Sequence, residues 1–184
     1  MNIKVTILIF STFFLLSNVS ANSEDRIPSI SIIKKYFNDL NEQEWVEATA
    51  WWDNESRLEL VEFIANKENQ KYKRGLLNIE KANLVRWKEL PYEYGKQFFP
   101  SRSLEKFNNS RVYYVGVDYR VHKQNQFFID GVNYFLVVLV LEDGIWKIAL
   151  TPNVPVKSII ADGYGFGTED EKTFDDRRLR FRIN

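Results

Sequence analysis

Asp118 and His122 are the first pair in this chain to suggest acid–base chemistry, because they share one side of an alternating run with Tyr114, Gly116 and Arg120. A strand rises about 3.3 Å per residue, so residues four apart lie about 13 Å from one another and cannot exchange a proton directly. That side is also partly wet, which gives His122 a solvated rim position. The chain holds one histidine and no cysteine, which excludes disulfides, thiolate metal sites and cysteine nucleophiles and leaves only carboxylates for a metal. Glu169, Asp170 and Glu171 lack the Asp-x-Asp-x-Asp-Gly spacing of a calcium loop and read as a solvated turn. Gly163-Tyr-Gly-Phe-Gly167 follows no buried parallel strand and reads as a flexible hinge rather than a phosphate loop. No serine sits in a Gly-x-Ser-x-Gly setting. Neither a metal nor a cofactor is expected. Aromatic side chains are the remaining resource: Trp52, Trp87, Phe98, Phe99, Tyr113, Tyr119 and Trp146 can line a pocket for a small apolar or carbohydrate ligand, although core packing accounts for most of them more simply.

The elements that would position these groups are strands joined by tight turns. Asp143-Gly144 between apolar runs predicts a two-residue hairpin, with Glu142 facing Ile145 and the pairs Leu141/Trp146, Leu139/Ile148 and Val137/Leu150 on one side. The other side carries Leu136, Val138, Val140 and Ala149, too apolar for water, so something must cover it. The run from residue 110 places Tyr113, Val115, Val117, Tyr119 and Val121 on one face. Asp130-Gly131 predicts a further hairpin pairing Ile129 with Val132. Before the strands, Ser29 can cap a helix with Ile30, Ile33, Phe37 and Leu40 on one face. Asn41 to Glu44 has the form of a capping box opening a second helix with Trp45, Ala48 and Trp52, and Leu58, Val61, Ile64 and Ala65 mark a third. Gly75 closes the helical half, residues 82–89 alternate as a strand stopped by Pro91, and residues 92–107 form a long aromatic connection that folds back on the body. In the tail, Arg178, Arg180 and Arg182 alternate with Leu179, Phe181 and Ile183, which predicts a strand with a basic face that docks on a sheet edge or contacts anionic wall polymers.

Residues 1–21 have the layout of a secretory signal peptide: Lys4, an apolar run over residues 5–16, and small residues ending at Ala21. The expected organisation is a cleaved leader at 1–21, a disordered linker at 22–28, a domain at 29–155 and a carboxy-terminal extension at 156–184, in a secreted or cell-envelope setting. The whole chain carries 25 basic and 25 acidic residues, and the leader removes Lys4 and no acid, leaving 24 against 25 and a formal charge of −1. That balance gives no electrostatic case for nucleic acid.

Helices first, then a long aromatic connection, then antiparallel strands ending in Glu142-Asp-Gly-Ile-Trp-Lys-Ile148: this order, with the opening Ile32-Ile-Lys-Lys-Tyr-Phe-Asn-Asp-Leu-Asn-Glu-Gln-Glu-Trp-Val-Glu-Ala48, resembles the NTF2-like superfamily, also called cystatin-like, over residues 29–151. The resemblance implies an α+β fold in which amino-terminal helices pack on a curved antiparallel sheet to form a cone. It also implies homodimers that commonly pair through the second sheet face. Members include isomerases, dehydratases, transport factors and exported accessory domains, and the enzymes usually place an Asp, His or Tyr in the cone. The leading expectation is therefore a non-catalytic exported binding or accessory module. The alternatives are a cone-fold isomerase or hydrolase-like enzyme using Asp118, His122 or a buried Tyr, and a structural dimerisation domain.

Overall fold

The computed structural model describes residues 28–100, 104–107 and 109–181. The expected leader, all of the linker but Pro28, and Arg182 and Ile183 of the tail lie outside the described residues.

Helix α1 (Ser29–Asn41) buries Ile32, Ile33, Tyr36, Phe37 and Leu40, which recur at three- and four-residue intervals. Ser29 does not cap it; its hydroxyl is hydrogen-bonded to the Tyr113 hydroxyl at 2.7 Å. The chain turns through Gln43, at φ 61°, into α2 (Trp45–Thr49). The expected capping box does not form, because Asn41 is the last residue of α1 and its amide oxygen accepts from the Ala82 N–H instead. Asp53 caps α3 (Asn54–Ala65) by accepting from the Ser56 N–H. On α3 the expected apolar face is not the buried one: Leu58 and Val61 are exposed and Ile64 alone is buried. After α4 (Lys67–Lys71), Gly75 at φ 55° begins a short 3-10 turn into the sheet.

The sheet contains β1 (Ile79–Leu90), β2 (Ser110–Val121), β3 (Gly131–Glu142) and β4 (Ile145–Leu150), all antiparallel, in the order β1-β2-β3-β4 and not closed on itself. The chain is thus α+β. The Asp143-Gly144 hairpin sets the pairs Glu142/Ile145, Leu141/Trp146 and Leu139/Ile148 as the turn chemistry predicts. A bulge then changes the register, so Leu150 pairs with Val138 rather than Val137 and turns to the opposite side. The expected hairpin at Asp130-Gly131 is not formed: Gly131 already pairs with Tyr119. Its loop is closed by side chains, with Asp130 accepting from the Val121 N–H and Asn133 bonding both the N–H and the carbonyl of Ile129. On β1 a register shift between Leu84 and Arg86 leaves Val85 without a partner.

Both faces of the sheet are covered, which is why β3 is buried at eight consecutive positions, from Asn133 to Val140. On one face Ile32, Phe37, Ala48 and Trp52 pack against Val115, Val117, Val137 and Leu139. Over the other lie α5 (Tyr92–Gly95), Phe99 and Leu104, together with α6 (Val156–Ala161) and α7 (Glu169–Leu179), which bring Val156, Ile159 and Phe174 onto Tyr134, Leu136, Val138 and Val140. The face assigned from sequence to a homodimer partner is therefore occupied by the chain's own α6 and α7. The expected tail strand is not formed over the described residues: Arg178 and Leu179 end α7, whose buried residues Glu171, Phe174 and Asp175 recur at three- and four-residue intervals, so the helical period decides the contact with the sheet.

Candidate functional site

The cover on the second face stops short of one end. Beyond Tyr114 and Gly116, the same row of β2 side chains continues through Asp118, half-buried, to Arg120, exposed. On β1, Lys81 pairs with Arg120 and Asn83 with Asp118. With Glu80, Tyr119, Val121, Asp130 and Gly131 these residues line an open groove of about 740 Å³. Its charges are arranged in rows. Lys81 and Arg120 are like charges directly opposite, an arrangement that destabilises a ladder, and the next row toward the cover holds Asn83 and Asp118. Lys81 turns its ammonium to the Asn41 carbonyl at 3.2 Å. Glu80 is held by His122 Nδ1 at 2.7 Å, and Asp130 by the Val121 N–H. The side chains of Asn83, Asp118 and Arg120 make no hydrogen bond or ion pair with any described residue.

Asp118 and His122 are not brought together. Asp118 lies inside the groove, while His122 is exposed at its rim beside Glu80. Nor do the aromatic residues named from sequence share one cavity. Trp52, Tyr113 and Tyr119 belong to the helix-side core, with Trp146 packed against it under the Arg111 guanidinium. Phe98 and Phe99 lie across the sheet, in the second core. Trp87, 43% exposed, stands on β1 with the Lys34 ammonium 4.3 Å from its ring centre.

A second polar cluster lies where α7 meets the sheet, and sequence reasoning missed it. Glu171 is fully buried, not a solvated turn residue. Its carboxylate accepts from the Tyr114 hydroxyl at 2.9 Å and from the N–H groups of Phe166 and Gly167 at 2.8 Å each. The supposed glycine hinge is thereby pinned to α7. Beside it, Tyr134 donates to Asp170 at 2.6 Å, and Arg86 meets the same carboxylate at 3.1 Å. Lys88 donates to the carbonyls of Tyr164 and Gly165. Burial, then the neighbouring Glu171 carboxylate, pushes the Tyr114 phenol well above its ordinary value. Burial and the bond to Asp170 push Tyr134 up to about 12. Burial pulls Asp170 upward, but the bonds from Tyr134 and Thr168 and the Arg86 charge outweigh it and hold its carboxyl below the usual range. Glu171, Asp170, Arg86 and Lys88 are each bonded to groups across the joint between sheet and extension, which makes the cluster a latch for the extension. The signal for it was present in the basic residues of β1 facing an acidic segment, but the pairing could not be read without knowing that the extension crosses the sheet.

Among the described residues no group of three or more His, Cys, Asp or Glu side chains is placed to hold a metal ion, and no helix is long and apolar enough to cross a membrane. No family model, no curated protein and no solved structure matches the chain.

Proposed function

We propose that the protein is an exported, non-catalytic binding module of the cell envelope, with an NTF2-like architecture and a polar ligand held in the groove over Asp118. The observation that carries this reading is the set of three neighbouring polar side chains, Asn83, Asp118 and Arg120, that share an open groove of about 740 Å³ and have no partner among the described residues. Polar groups left without protein partners are available to a ligand at no cost in broken internal bonds. The buried carboxylates, by contrast, are occupied: Asp53 caps α3, Asp175 accepts from the Lys157 N–H, and Glu171 holds the latch. The polarity of the groove favours a hydrophilic ligand over a small apolar one. The NTF2-like reading is supported by helices that precede the sheet and pack on one face of it, and the export reading by the leader pattern of residues 1–21.

Amide-resolved NMR titration tests the site. Hydrophilic probes (glucose, chitotriose and L-alanine) and an apolar one (indole) are added in turn. The expected result is that at least one hydrophilic probe shifts the amides of residues 81–83, 118–120 and 131 and no others strongly. Shifts caused by indole alone, or centred elsewhere, would overturn the reading.

A further inference from the structure

The groove is not merely polar; its two unpartnered charges are of opposite sign and rise from neighbouring positions on one strand face. Asp118 and Arg120 sit two residues apart on the same face of β2, so their backbone origins are about 7 Å apart along the strand. They do not pair with each other, and neither pairs with any other described residue. Lys81 stands opposite Arg120 with its ammonium bonded to the Asn41 carbonyl, and Asn83, opposite Asp118, is neutral and can both donate and accept. The carboxylates of Glu80 and Asp130 also lie on the groove wall, at the Lys81 end, the first held by His122 and the second by the Val121 N–H, which leaves Asp118 and Arg120 as the charged groups of the groove with no partner among the described residues. An ammonium bonded to Asp118 and a carboxylate bonded to Arg120 need about 2.8 Å for each charge-assisted bond. The N–Cα–C unit between the two groups adds about 3 Å. That total, about 8 to 9 Å, matches what two side chains rising from origins about 7 Å apart can span by leaning slightly outward.

We infer that the groove takes an α-amino carboxylic acid or the equivalent zwitterionic end of a larger molecule, with the ammonium on Asp118, the carboxylate on the Arg120 guanidinium and the side chain directed to open solvent. This inference rests on the groove being the binding site and adds the chemical class of what binds there. The side of the groove is open, so the ligand's third substituent is not selected; the two charges and their separation are. A neutral sugar would satisfy hydroxyl-bonding groups but leave the charges of Asp118 and Arg120 facing no counter-charge.

The test uses L-alanine, N-acetyl-L-alanine, L-alaninamide and glucose, titrated into the protein and into the Asp118→Asn and Arg120→Gln variants at low ionic strength, with binding followed by amide NMR. Neither side chain has an internal partner, so both variants should retain the amide spectrum of the folded protein. In the unaltered protein alanine should bind at least tenfold more tightly than its acetylated form or its amide. Arg120→Gln should remove the preference for alanine over alaninamide, and Asp118→Asn the preference for alanine over the acetylated form. Equal binding of the three alanine forms would overturn the inference, as would acid-to-amide discrimination that survives Arg120→Gln. If glucose shifts the groove amides and alanine does not, the groove remains the site and the zwitterion assignment falls. If no probe shifts the groove, both fall.

Discussion

Replacing Glu171 by leucine should be among the most damaging single changes outside the apolar core. The substitution keeps most of the side-chain volume and removes the acceptor shared by the Tyr114 hydroxyl, the Phe166 N–H and the Gly167 N–H. The Tyr114 hydroxyl is left buried and unpaired, at about 2 kcal/mol. The part-buried N–H groups of Phe166 and Gly167 can relax toward water with the loop at residues 163–167 and add about 1 kcal/mol each, for an expected total of about 4 kcal/mol. For a chain of this length a loss of 1 kcal/mol lowers Tm by about 2 to 4 °C, so the midpoint should fall by about 8 to 16 °C. Glu171→Gln should cost less, because an amide oxygen can still serve the two N–H groups while the amide nitrogen donates to Tyr114. Differential scanning calorimetry gives the midpoints, and hydrogen exchange at Phe166 and Gly167 shows whether the loop opens first. A leucine variant within about 1 kcal/mol of the parent, or a glutamine variant as damaged as the leucine one, would refute the view that hydrogen bonding holds this segment down.

Alkaline conditions should loosen the same region. The fold holds Tyr134 neutral with a pKa of about 12, above the ordinary value near 10, so its contribution is complete below about pH 10 and is lost as pH rises through 12. The difference in tyrosinate absorbance at 295 nm between the parent and Tyr134→Phe should appear only as structure is lost if this holds, and near pH 10, before unfolding, if Tyr134 titrates freely. Gly116→Ala places a methyl 2.9 Å from the Tyr134 ring and should cost about 1 to 3 kcal/mol by urea unfolding; a neutral outcome would mean the ring moves aside. Leu58→Ala, on the exposed side of α3, should change stability by less than about 0.5 kcal/mol, whereas Ile64→Ala, on the buried side, should cost about 2 to 5 kcal/mol in the same assay.

The hairpin at Asp143-Gly144 was legible because its turn needs positive φ at both central positions, and Asp143 and Gly144 adopt 50° and 80°. The face of β2 carrying Tyr113, Val115 and Val117 was legible for an equally local reason, the period of two. At Asp130-Gly131 the same dipeptide misled, because Asn133 and Asp130 close a longer loop through side chains that a dipeptide rule ignores. The tail misled more deeply. Alternation of Arg with apolar residues carries strand information only where a sheet edge is available, and the acidic first turn of α7, with Arg177 and Arg178 in its last, follows the helix dipole instead. Of the groove, Asp118 could be found from its place on a wet strand face. Asn83 and the opposition of Lys81 to Arg120 could not, since they depend on which residues of β1 fall opposite β2 after two register shifts.

The unpartnered Val85 on β1 has a consequence for how this protein behaves in a crowd. A sheet that is not closed has two edges. At the β4 edge, Trp51 and Asp53 exchange bonds with both backbone groups of Ile148. At the β1 edge, Asn41 and Gln43 engage the Ala82 N–H and the Glu80 carbonyl, and the register shift at Val85 bends the remainder of the strand. An incoming strand would find no straight row of free amides longer than the stretch from Arg86 to Leu90, and it would meet Lys88 and Glu89 there. The two ladder irregularities of β1, at Glu80 and Val85, together with the groups bonded along both edges, thus leave another copy of the chain little straight edge on which to template aggregation.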